Sequence, residues 1–239
     1  MEIVPRVHWV GLNDTESKIF EELWSIPRGV SINSYLVIGK NKSALIDTMK
    51  ESSFEKYIEK IQKLIDPKKL DYIVLNHVEP DHAGSLSKLI TIASKASVIS
   101  SKNGIDFLRK YHKVPFNGIV VNEGATIDLG EKTLRFISTP CLHWPETIST
   151  FLEPDEVLFS GDLFGAFDAI GDNIFDNKIN EVSIYAAKRY FSAILSPYAP
   201  FVDKAIKKFR ALDKPIKVIP PSHRLIYKNN PSIITKIYE

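Results

Sequence analysis

Apolar residues along this chain change spacing several times, and each change predicts an element. Residues 3–11 and 30–38 carry short apolar runs with strand character, and Gly39–Lys42 turns the second into Ala44–Ile46 to form a hairpin. From Ser52 to Ile65 the spacing becomes helical, through Phe54, Tyr57, Ile58, Ile61, Leu64 and Ile65, until Asp66-Pro67 stops it. The unbroken run Tyr72–Leu75 predicts a buried strand, and Gly84–Ala93 predicts a helix. Val98–Ser100 and Ile119–Val121 read as short strands around a helix near residues 102–112. Residues 125–138 and 147–160 predict antiparallel β-structure, with Glu153-Pro154-Asp155 as a turn. The last third is helical: Ile179, Val182, Ala186, Tyr190 and Ile194 make one stripe, and Val202, Ala205, Ile206, Phe209 and Leu212 another. A final strand is expected at Ile216–Ile219. β-rich halves with interleaved helices predict an α/β fold with sheets inside and helices outside. No linker, repeat or low-complexity tract interrupts residues 1–239, so one domain is expected.

Composition narrows the function classes. Hydrophobic content of 44% and charged content of 25% are ordinary for a globular chain. A net charge of +2 gives no reason to expect nucleic acid or an anionic membrane as a partner. No apolar run approaches the ~18 residues of a membrane span, and the N-terminus lacks a signal-peptide core. The cytoplasm is the expected location. A lone cysteine, Cys141, excludes an intramolecular disulfide, a Cys-x-x-Cys pair and a four-cysteine iron site.

The chemistry concentrates in Asn76-His77-Val78-Glu79-Pro80-Asp81-His82-Ala83-Gly84-Ser85, directly after the Tyr72–Leu75 strand. His77, Glu79, Asp81 and His82 are all metal-ligand types. Pro80 pushes Glu79 towards extended backbone, which would let His77, Glu79 and Asp81 share a face, with His82 entering from the first helical turn. Three more donors lie at strand ends: His143 in Thr139-Pro-Cys-Leu-His-Trp-Pro145, Asp162 in Leu158-Phe-Ser-Gly-Asp-Leu-Phe-Gly165, and His223 after the last strand. Singly, each has a structural reading. Asp81 can cap a helix, Asp162 can serve a turn, and His143 or His223 can be a hydrogen-bonded loop histidine. Together, seven donors at the ends of apolar strands suffice for two ions if one carboxylate bridges. His8 and His112 read as structural and surface residues. Trp144 and Tyr198 are expected either to line the pocket or to pack in the core. Cys141, two residues from His143, could share its face in extended backbone, but no ligand role is expected of it because the donor set is full without it.

His-x-Glu-x-Asp-His, then a distant His, then Gly-Asp, then Ser-His resembles the metallo-β-lactamase superfamily. Within it, the pattern is similar to the diiron core of flavodiiron proteins. The wider likeness runs through Leu142-His-Trp-Pro-Glu146 and Arg189-Tyr-Phe-Ser-Ala-Ile-Leu-Ser-Pro-Tyr198 and covers almost the whole chain. It implies a four-layered αβ/βα sandwich with the metals at one edge between the sheets. By the same resemblance, His77, Glu79 and His143 hold one iron. Asp81, His82 and His223 hold the other, and Asp162 bridges with an oxo or hydroxo species. Zinc hydrolases of the superfamily resemble His-x-His-x-Asp-His instead. Glu79 raises the ligand charge to three negative units (Glu79, Asp81, Asp162), which suits iron cycling between oxidation states.

The implied activity is reduction of dioxygen or nitric oxide. Family members carry an FMN-binding flavodoxin domain after this core, with a head-to-tail homodimer bringing flavin to iron. Too few residues follow His223 for such a domain, so the chain is expected to hold no FMN. Its electrons would come from a separate flavodoxin-like or rubredoxin-like protein. Two alternatives stay open: an oxygen-binding diiron sensor linked to a signalling protein, as in chemotaxis, and a metal-dependent hydrolase.

Overall fold

The computed structural model describes residues 1–171 and 173–239. Its larger sheet takes its strands in sequence order: β1 (Glu2–Val4), β2 (Val7–Trp9), β3 (Tyr35–Ile38), β4 (Ser43–Ile46), β5 (Tyr72–Val74), β6 (Ser97–Ser100) and β7 (Asn117–Val120). β1 to β4 pair antiparallel, with short turns joining β1 to β2 and β3 to β4, whereas β4 to β7 pair parallel. Parallel neighbours need long crossovers, which here are helical. α1 (Phe54–Gln62) joins β4 to β5. The pair α2 (Pro80–Ala83) and α3 (Leu86–Ile92) joins β5 to β6, and α4 (Lys102–Tyr111) joins β6 to β7. Ile73, Val74 and Leu75 are each 0% exposed, which is why this stretch reads as a continuous apolar run rather than an alternating one.

The second sheet is an antiparallel meander of β8 (Thr126–Asp128), β9 (Thr133–Ser138), β10 (Ile148–Glu153) and β11 (Val157–Phe159). Three helices follow it: α5 (Glu181–Tyr190), α6 (Ala199–Arg210) and α7 (Pro231–Tyr238).

Several expected strands divide. Residues 30–38 break after Ile32, because Val30–Ile32 pairs with Leu12–Asp14 in a separate ribbon while Tyr35–Ile38 enters the main sheet. Residues 125–138 turn at Gly130, whose φ of +77° favours glycine. Residues 216–219 make only isolated bridges, Val218 to Val157 and Ile219 to Tyr227. Beyond Tyr190 the expected helix widens to a π-turn over Phe191–Leu195. α7 was not expected, since eight residues give too little periodicity to stand out.

Two clasps fix the sheets against each other. Asn76 accepts from Ile148 N through its carbonyl (3.0 Å) and from Thr150 Oγ1 through Oδ1 (2.7 Å), and its amide donates to Phe159 O (3.3 Å). At the opposite end, Leu129 O accepts from Asn41 N and Lys42 N, at 3.0 and 3.1 Å. A Cβ on Gly39 would stand 2.2 Å from that same oxygen, so the close approach requires glycine.

Candidate metal centre

The C-terminal ends of β4, β5 and β6 and the loops after β9 and β11 meet at one edge. Asp47, directly after β4, accepts from Asn76 N at 2.8 Å and His77 N at 3.4 Å, so one buried carboxylate sets the path of the chain leaving β5. Glu79 is extended (φ −61°, ψ 152°), as expected from the following proline. Pro80 then opens a helix instead of prolonging the extended segment. At the first helical position its missing N–H is no loss and its fixed φ is already helical. The expectation that Asp81 shares a face with His77 and Glu79 is therefore corrected: Asp81 and His82 sit in the first turn of α2. Thr48 straps that turn to β4, its N and Oγ1 both donating to His82 O at 2.7 and 2.6 Å.

All seven expected donors converge, in two groups that can each hold a metal ion: His77, Glu79, His143 and Asp162, and Asp81, His82 and His223. In the first, Glu79 Oε2 lies 3.2 Å from His77 Nε2 and 3.0 Å from His143 Nε2. Asp162 Oδ2 lies 3.6 and 3.4 Å from the same two nitrogens. In the second, Asp81 Oδ1 is 3.2 Å from His82 Nε2 and Oδ2 is 3.4 Å from His223 Nε2. Asp162 Oδ1 is 3.2 Å from both of these imidazoles. One carboxylate thus turns one oxygen to each group. Donors about 2.1 Å from a shared ion, at tetrahedral or octahedral angles, lie about 3.0–3.4 Å apart, close to these separations.

In the second group the donors aim at a common point rather than at each other. Asp81 Oδ1 and Oδ2, His82 Nε2, Asp162 Oδ1 and His223 Nε2 are buried without any hydrogen-bond partner, despite these short approaches. A native interior does not leave so many polar atoms unpaired in one place without an ion or water to receive them. The electrostatics agree. Burial alone would lower His77, but Glu146 and Glu79 hydrogen bonds and the Asp162 charge raise it to about 10. Burial likewise opposes the rise at His82, yet Asp81 and Asp162 carry it to about 10. His143 reaches about 10 against burial through Asp162 and Glu79. Burial favours protonated Glu79 and Asp162, but the imidazoles bring Glu79 down to about 2 and Asp162 well below the carboxylate range. The cluster demands positive charge, and the residues fit a pair of cations.

Supporting residues were less legible. Glu146, 1% exposed, pairs with His77 Nδ1 at 2.6 Å and accepts from Val78 N at 3.2 Å. Ser31 O accepts from His223 Nδ1 at 3.0 Å. Both contacts leave Nε2 of the ring free for a metal. Neither was identified from sequence, because a single glutamate or a backbone carbonyl carries no spacing signal. Trp144 and Tyr198 do flank ligands: the Trp144 ring lies 5.3 Å from His77, and Tyr198 lies 6.4 Å from His143. His143 is the ligand most open to solvent, its side chain 18% exposed. Cys141 belongs to neither donor group. His112 is half-buried rather than a surface residue, bonded to Ser87 Oγ at 2.7 Å.

Comparison with known proteins follows the same line. Residues 30–223 match the ODP family of β-lactamase-like proteins. An uncharacterised protein of Methanocaldococcus jannaschii is 42% identical over 229 residues, covering 95% of this chain and 57% of that protein. The anaerobic nitric oxide reductase flavorubredoxin of Shigella dysenteriae is 35% identical over 236 residues, covering 97% of this chain and 49% of that protein. The chain thus spans about half the length of these curated relatives. The structure of rubredoxin oxygen:oxidoreductase from Desulfovibrio gigas superposes with a TM-score of 0.94 at 31% identity, over 100% of this chain and 60% of that one. The expected metallo-β-lactamase-like αβ/βα sandwich is the observed fold.

Proposed function

Because this chain belongs to the ODP β-lactamase family and carries a flavodiiron-type core, we propose that it is a non-haem diiron oxidoreductase. It reduces dioxygen, nitric oxide or both, with electrons from a separate redox protein. The observation that carries this reading is Asp162, with one oxygen 3.2 Å from His82 and His223 and the other 3.4 Å from His143. In this reading His77, Glu79 and His143 would hold one iron and Asp81, His82 and His223 the second, with Asp162 offering one oxygen to each. When bound, the iron pair supplies stored electrons and an open position for a diatomic substrate.

The protein's own groups account for the rest. Glu146 accepts a hydrogen bond from His77 Nδ1–H and Ser31 O accepts one from His223 Nδ1–H, which leaves Nε2 of both rings to face a metal. Glu79 stands where the zinc hydrolases that the chain resembles carry a histidine, and its carboxylate would suit a hard, higher-charged ion such as iron. Phe20 packs edge-on against His223 at 5.3 Å and Trp144 against His77 at 5.3 Å, which keeps bulk water from the ligand rings. The relatives' names cover both substrates, one a nitric oxide reductase and another an oxygen oxidoreductase.

The test is to count metals in the purified protein, reduce it without air, and follow oxygen and nitric oxide consumption with a reduced donor. Two irons per chain and repeated turnover support the proposal. A colourless zinc protein that cleaves esters would sink it, and so would gas binding without turnover.

A further inference from the structure

Asp162 stands in a turn with little slack. Gly165 N donates to Asp162 O at 2.9 Å, while Ser222 N and Ser160 Oγ donate to the Gly161 and Leu163 carbonyls, at 2.8 and 2.5 Å. Phe164, third in the turn that Asp162 and Gly165 close, has φ +71°, where glycine or asparagine is usual. A Cβ on Gly165 would lie 3.0 Å from Asp162 O and from the Tyr190 ring, so that side is full as well. Backbone strain of this kind persists where the surroundings over-determine it. Here the surroundings are α7. Its last residue, Tyr238, donates its buried hydroxyl to Gly165 O at 2.6 Å, across 73 residues of sequence. The same side chain sets its ring 5.3 Å from Phe164 and 5.2 Å from Phe191, and Phe209 closes on Phe164 at 6.2 Å. Ile234, one helical turn before Tyr238 and fully buried, seats the same face of the helix.

We propose that Tyr238 is a positioning residue of the metal centre: its hydroxyl, through Gly165 O, holds the Asp162 carboxylate with one oxygen towards each donor group. The inference rests on the reading that the two groups hold a metal pair. Asp162 serves both, with Oδ1 3.2 Å from the His82 and His223 imidazoles and Oδ2 3.4 Å from that of His143. A backbone shift that favours one group therefore takes the carboxylate away from the other. Gly165 is where such a shift is blocked. Its N–H grips Asp162 O, and its carbonyl is gripped in turn by Tyr238. Without the hydroxyl, Gly165 O loses its donor in the interior. Phe164 is then free to relax from its left-handed φ, and Asp162 turns with it. Burial, the largest cause, raises Tyr238 well above the usual tyrosine range, so the hydroxyl keeps its proton and remains a donor. The C-terminal helix is in this way part of the site, although none of its residues belongs to a donor group.

Two variants of the full chain test this. Tyr238→Phe keeps the ring and removes the bond, whereas Ile234→Val trims the packing of the same helix and leaves the bond in place. Each is stripped of metal, titrated with Co2+ by visible absorption, and melted by calorimetry. Uptake of two Co2+ ions by the wild type tests the paired-metal reading itself, and the variants are judged against it. Y238F should bind Co2+ about 10–100-fold more weakly and show an altered absorption band, because the carboxylate no longer meets both ions in one geometry. I234V should melt below wild type yet bind Co2+ as tightly, with the same band. A Y238F protein with wild-type affinity and band overturns the proposal. So does an I234V protein whose affinity falls as far as that of Y238F, since α7 would then act through its packing alone.

Discussion

Glu79 is the residue on which the metal's identity turns. It lies between two imidazoles, at 3.2 and 3.0 Å, and adds a third negative charge to a site that histidine would leave at two. Glu79→His should shift the metal content from iron towards zinc, measured by elemental analysis after expression with both metals available. Unchanged iron would show that this charge matters less than the geometry. The histidines give a pH prediction. His77, His82 and His143 are held at about 10 in the metal-free fold, above the usual ~6.5, so near pH 7 they carry protons that a metal must displace. Metal affinity should rise with pH across that interval, with proton release visible by calorimetry in buffers of different ionisation enthalpy. The same shifts stabilise the metal-free fold fully below ~6.5 and are lost as pH rises through about 10.

At the scale of the element, α2 decides how the ligands divide. A helix of four residues has little stability of its own. It is held by Thr48 on one side and by Ser85 N to Met49 O, at 2.7 Å, on the other. Gly84 lets it approach: a Cβ there would stand 2.4 Å from Pro80 O and 2.8 Å from Glu51 N, both backbone atoms that cannot move aside cheaply. Gly84→Ala should therefore destabilise the fold by about 1–3 kcal/mol and lower metal content, read from denaturant melts and metal counts. A variant as stable and as loaded as wild type would mean that this contact is looser than drawn.

Across the whole molecule, the site is a place where two sheets end. Asp47, Asn76 and His77 follow strands of the larger, mixed sheet, His143 and Asp162 follow strands of the antiparallel one, and His223 returns from the far end of the chain. Metal bridging them binds only the folded state, so it adds stability by mass action, about 4 kcal/mol at a thousandfold excess over Kd. Chelation under reducing conditions should lower Tm by roughly 2–4 °C per kcal/mol lost, or about 8–16 °C at that excess. Calorimetry of the loaded and stripped protein checks this. An unchanged Tm would mean that the two sheets hold the site rigid without the ions.

Much of this was legible beforehand. A run such as Tyr72–Leu75, short, β-branched and bounded by ligand residues, reads as a buried strand, and His77, Glu79, Asp81 and His82 announce themselves by chemistry and spacing. The motif likeness supplied the division of ligands between the two metals. Residues that act through long-range contacts stayed hidden: Glu146 behind His77, Ser31 O behind His223, and Asn76 between the sheets. Local pattern fixes strands and clusters because period and residue type act over a few neighbours. The seating of α2, and the turning of Asp162 to face both groups, depend on atoms brought together from distant parts of the chain, 34 residues apart for Thr48 and His82 and 192 for Ser31 and His223. Only the packed sheets decide those.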